Sequence, residues 1–111
     1  AEAEAKMNAA RSRYESLLER HLLAFADHGA EFYAGSGNNW PRALDLARVN
    51  VANRPTLRAF EQAHDIAVTA GDPQAASELI TEAALQWGST PAFRSSQLAK
   101  GSLEKRQGAA T

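Results

Sequence analysis

Apolar side chains recur along this chain in steps of three and four. Met7, Ala10, Tyr14, Leu17 and Leu18 form a first stripe, and Leu22, Phe25, Gly29 and Phe32 a second. Ala43, Leu46, Ala47 and Asn50 form a third, Leu57, Phe60, His64 and Ala67 a fourth, and Ala76, Leu79, Ile80, Ala83 and Trp87 a fifth, the fullest. Such spacing keeps side chains on one face of a helix with 3.6 residues per turn. A sixth, weaker helix runs from about Phe93 to Ala99. No segment alternates with period two for long enough to read as a strand.

Breakers divide these stripes. They are Gly35-Ser36-Gly37-Asn38-Asn39, Asn53-Arg54-Pro55-Thr56, Gly71-Asp72-Pro73, Gly88-Ser89-Thr90-Pro91 and Gly101-Ser102. Several combine a helix stop with a helix start. Gly71 suits the left-handed conformation that closes a helix, and Asp72 can cap the next one with Pro73 in its first turn. Gly88, Thr90 and Pro91 repeat that logic, and Thr56 can cap a helix beginning at Leu57. The expected fold class is therefore all-α, with about six helices. Short connections make consecutive helices antiparallel neighbours.

Composition sharpens this picture. Of the 111 residues, 24 are alanine and only five are Val or Ile. Alanine favours helices and β-branched residues favour strands. Alanine buries little area, so a core built from it needs helices that approach closely. Gly29, Ala43, Ala63, Ala76 and Ala83 stand where a larger side chain would push helices apart, with Tyr14, Phe25, Phe32, Phe60 and Ile80 filling the remaining space. Trp40 and Trp87 read as residues that close the ends of helix pairs.

Cysteine is absent, which excludes disulfides, a thiol nucleophile and cysteine-ligated zinc. No run of about 18 apolar residues predicts a membrane span. The expectation is a soluble chain, in cytoplasm or periplasm, with the compartment left open. Ala1-Glu2-Ala3-Glu4-Ala5-Lys6 reads as an added leader ahead of Met7 or as a helical lead-in.

The spacing from Leu57 onward (Phe60, Ala63-His64, Ala67, Gly71, Ala76, Ile80, Ala83, Gly88) resembles the tetratricopeptide repeat, whose helix pairs recur every 34 residues or so. The preceding stretch is similar: Phe25, His28-Gly29 and Phe32 match a first helix, and Ala43, Ala47 and Pro55 a second helix with its closing proline. Asn50 and His28 depart from the pattern, and the turn between the two helices is longer than usual. Ala10, Tyr14 and Leu17 match a second helix without its partner, with Leu22 in place of a closing proline. The resemblance implies a short, bacterial-type array of antiparallel helix hairpins stacked as a right-handed superhelix. Its parts would be a tail or added remnant at 1–6, a half repeat at 7–21, repeats at 22–56 and 57–90, a terminal helix at 91–100 and a flexible basic tail at 101–111.

Candidate chemistry is sparse. No G-x-S-x-G elbow, P-loop, G-x-G-x-x-G or H-E-x-x-H motif occurs. His21 and His28 lie seven apart with Glu31 nearby, but two ligands do not make a metal site. His28 and His64 read as packed or half-buried residues, and His21 as a helix-end residue. Adjacent His64-Asp65 and Asp27-His28 pairs point about 100° apart on a helix and cannot form a base-and-orienter pair. The sequence thus predicts neither enzyme activity nor a cofactor or metal.

Charge divides by segment. Residues 57–90 carry one cation (Arg58) and five anions, net −4, whereas 91–111 carry four cations and one anion, net +3. The resemblance implies that the first helix of each pair lines a concave groove. Its residues here would be Leu23, Ala26, Ala30 and Tyr33 in one repeat, with Tyr33 as the main anchor, and Arg58, Glu61, Asp65 and Val68 in the next. An apolar half beside an acidic half implies a protein or peptide partner of basic character. Nucleic acid, which requires phosphate neutralisation, and membrane are not expected partners. Two other readings stand beside this one: a structural segment of a larger enzyme or secretion assembly, and a homodimer formed through the unpaired first helix.

Overall fold

The computed structural model describes residues 2–101, and among them every regular element is helical. These are α1 (Glu2–Ala34), α2 (Trp40–Asn53), α3 (Leu57–Thr69), α4 (Pro73–Trp87), α5 (Pro91–Arg94) and α6 (97–101). They divide into two compact units, 1–54 and 55–111. The expected basic tail lies, beyond Gly101, outside the described residues.

In the first unit, the two stripes expected as separate helices are the two arms of α1. The arms meet at His21, whose backbone is non-helical (φ −141°, ψ 54°). Glu15 and Tyr33 are 18 residues apart, yet their side chains touch at 2.7 Å; a straight helix would hold them about 27 Å apart. The bend is therefore a reversal. Tyr14 stacks on Phe32 with ring centroids 4.5 Å apart. Gly29 sits at the centre of the unit: a Cβ there would lie 3.0 Å from Leu46 Cδ1 and 3.2 Å from both methyls of Leu18. Glycine thus lets both arms and α2 close on one point. Residues 2–6 belong to the same helix.

The loop 35–39 turns the chain into α2. Gly37 N–H donates to the Phe32 carbonyl (2.9 Å) and Asn39 N–H to that of Tyr33 (2.8 Å). A Cβ on Gly37 would meet the Phe32 ring at 2.8 Å, so only glycine fits under that ring. Asn39 caps α2 by accepting from Arg42 N–H (3.1 Å). All four residues of the third stripe, Ala43, Leu46, Ala47 and Asn50, are buried.

In the second unit, Thr56 caps α3 through Ala59 N–H (3.1 Å). The helix closes at Gly71 (φ 75°), with Gly71 N–H on the Val68 carbonyl and Asp72 N–H on that of Ala67. That pair of bonds is a Schellman closure, and it requires the left-handed residue expected at Gly71. Asp72 at once caps α4, accepting from Ala75 N–H (3.0 Å). Phe60, Ala63 and Ala67 on α3 and Ala76, Leu79, Ile80 and Ala83 on α4 are buried, so alanine does lie where the two helices meet. Trp87 Nε1–H donates to the Pro55 carbonyl (2.9 Å), tying the end of α4 to the residue ahead of α3.

Several expectations need correction. Leu22 is exposed rather than packed, because it sits on the outside of the reversal. Gly88 is right-handed (φ −58°), and its glycine is needed because a Cβ would collide with the Ala84 carbonyl oxygen. The single terminal helix is two pieces. After α5 the Ser96 hydroxyl donates to the Phe93 carbonyl (2.6 Å) and accepts from Ala99 N–H (3.4 Å), ending one helix and capping the next. Gly101 is still helical, and Leu98, absent from every stripe, is buried with Phe93. His28, expected to be packed or half-buried, is exposed.

Candidate functional site

Among the described residues each unit carries a concavity, and the two differ in the side chains that line them. In the first unit the arms of α1 and the loop 35–39 border an open hollow of about 520 Å³ lined by Arg11, Ser12, Glu15, Tyr33, Gly37, Asn38 and Asn39. Its charged groups and the tyrosine are already paired. Arg42 donates to both Glu15 oxygens, Nε to Oε1 at 3.2 Å and Nη2 to Oε2 at 3.0 Å. Tyr33 O–H donates to Oε1 at 2.7 Å, and Arg11 Nη2 donates to the Gly37 carbonyl at 3.3 Å. The hydrogen bond from Arg42 holds the Glu15 carboxyl below its ordinary pKa. Burial, together with the Glu15 carboxylate, pushes the Tyr33 phenol up to about 12. Glu15, Tyr33 and Arg42 thus form a clamp whose donors and acceptors satisfy one another.

In the second unit a cleft of about 440 Å³ lies between α3 and α4, lined by His64, Val68, Gly71, Pro73, Ala76, Ser77, Ile80 and Gly101. Its walls are largely apolar. His64 Nδ1 is buried without a hydrogen-bond partner, 3.9 Å from the Asp65 carboxylate. A Cβ on Gly101 would press on Ile80 Cδ1 at 2.7 Å, so glycine there keeps α6 close against the cleft.

The eight residues expected to line a groove fall into two groups. Leu23 is exposed (56%), but Ala26, Ala30 and Tyr33 are buried, and Tyr33 spends its hydroxyl on Glu15. On α3, Arg58, Asp65 and Val68 are exposed and Glu61 is half-buried. Steps of three, four and three put these four on one side of α3. Val68, 58% exposed, belongs both to that stripe and to the cleft.

Sequence reasoning did not single out Glu15 and Arg42, which lie 27 residues apart and share no local motif. It also missed the cleft walls at Pro73, which reads as the start of a helix, and at Ser77. Among the described residues no group of three or more His, Asp or Glu could hold a metal ion. No described helix is long and apolar enough to cross a membrane. No family model, curated protein or solved structure matches this chain.

Proposed function

We propose that this chain is a tetratricopeptide-like helical-hairpin module that binds a protein or peptide partner and performs no chemistry of its own. The observation that carries this reading is the outward stripe of α3. Arg58, Glu61, Asp65 and Val68 share one side of a capped, well-packed helix, and Val68 opens onto an apolar cleft. Exposed apolar surface at the mouth of a cleft offers an anchor site, and surrounding carboxylates select the charge of what enters. The net charge of −4 over residues 57–90 favours a basic segment bearing one apolar side chain.

Fluorescence anisotropy against a panel of short peptides tests it. Basic peptides with a central Leu or Phe should bind, and acidic peptides of the same length should not. Val68→Asp and Glu61→Lys should each weaken binding by about tenfold, a loss of roughly 1.4 kcal/mol, while leaving thermal melting unchanged. Equal binding of acidic and basic peptides, or variants that bind as well as the parent, would refute the reading.

A further inference from the structure

The reversal at His21 has no local cause in the sequence. Sharp helix bends arise almost always at proline, at Gly/Ser pairs or at an inserted residue. Here the flanking run is Leu17-Leu18-Glu19-Arg20-His21-Leu22-Leu23-Ala24-Phe25-Ala26, free of glycine, proline and serine. Most of these residues are good helix formers. His21 is the one residue of α1 with non-helical backbone angles. The arm 2–20 is instead held down by contacts with the rest of its unit: Tyr14 on Phe32, Leu18 at Gly29, and Glu15 on Tyr33 and Arg42.

Every one of those partners lies beyond the bend. A second copy of the chain therefore offers an identical set. Returning His21 alone to helical angles makes 2–34 one continuous helix, about 50 Å long. It also lifts the arm off residues 22–53 and uncovers Gly29, Phe32, Tyr33 and Arg42. We infer that this face accepts the arm of a second copy, so that two chains exchange residues 2–20 reciprocally. The interface is then isologous, with each chain giving one arm and receiving one. The Glu15–Arg42 pair sets its charge register, and the one-residue hinge is of the short kind that favours exchange over intramolecular closure.

The pair also supplies the test. In Glu15→Arg alone, or Arg42→Glu alone, every arm meets a like charge, whether in a monomer or in an exchanged dimer. In a mixed dimer of the two variants, both interfaces regain opposite charges. The two variants, one carrying a mass tag, are unfolded, refolded together and examined by native mass spectrometry. The expected result is a mixed dimer exceeding its statistical share by about tenfold, with each variant alone mainly monomeric. Leu22→Pro, which disfavours helical angles at His21, should remove the dimer of the parent chain. A parent chain that stays monomeric after refolding at high concentration overturns the inference. So does a statistical mixture of dimers, or a dimer that survives Leu22→Pro.

Discussion

The two units reverse the chain by opposite means. Between α3 and α4 the turn is specified locally: Gly71 takes the left-handed closure, Asp72 caps, and Pro73 starts the next helix. Between the arms of α1 nothing local stops the helix, and the reversal rests on contacts between residues 18 apart and more. The α3–α4 contact is apolar, built on Phe60, Leu79 and alanines. The first unit adds a polar clamp of Glu15, Tyr33 and Arg42. A turn written into its own residues survives the loss of neighbours, whereas one imposed by packing lasts only as long as the packing does.

The harshest way to strain this contrast is to empty the α3–α4 core. Phe60→Ala removes the largest fully buried side chain and should cost about 3–5 kcal/mol, read as a lower midpoint in urea by circular dichroism. Overfilling comes next. Ala83 is wholly buried, and Ala83→Phe should destabilise by about 1–3 kcal/mol; an unchanged midpoint would mean that α4 does not approach its neighbours as closely as described.

Weakening the local signal is milder. Asp72→Ala leaves Ala75 N–H without its cap and should cost about 1 kcal/mol. The turn should persist because Gly71 remains, which amide exchange at Gly71 and Asp72 would reveal.

The smallest effect concerns the clamp. Tyr33→Phe removes one hydrogen bond and should cost about 0.5–1.5 kcal/mol near neutral pH. Its pH dependence is more telling. The folded phenol titrates near 12 against an ordinary value of 10.0. Its contribution is therefore complete below pH 10 and is lost as pH rises toward 12. Alkaline titration of the parent should show this loss and Tyr33→Phe should not. Glu15 behaves in the opposite sense. Its pKa is lowered from 4.5, so its contribution is present above that value and fades as pH falls through the lowered one. Glu15→Gln should abolish that acid-side decline.

The comparison also explains what could be read from the chain itself. The all-α class, the α2, α3 and α4 spans, and the caps at Thr56, Asp72 and Thr90 follow from short-range rules: a stripe, a glycine, a capping oxygen. The alanines at 43, 63, 76 and 83 could be placed because stripe spacing identifies the inward face. The reversal at His21 could be located only by comparing two adjacent stripes, since no residue there marks it. Leu98 lay hidden because a helix as short as 97–101 has no period to display. The α3 positions Arg58, Asp65 and Val68 follow only from the family resemblance, and they are exposed because they lie away from the buried face of that helix. The burial of Tyr33 was not legible, since a residue on the outer side of one helix can be covered by an arm from elsewhere in the sequence.

The tie between Trp87 and Pro55 has a practical consequence. The chain has only two tryptophans; Trp40 begins α2 in the first unit, and Trp87 ends α4 in the second with its indole N–H bound to a backbone carbonyl. Each unit thus contains its own intrinsic fluorophore. In Trp40→Phe the remaining emission follows the closure of the α3–α4 hairpin, and in Trp87→Phe it follows the first unit, so the order in which the two halves open can be read from their own light.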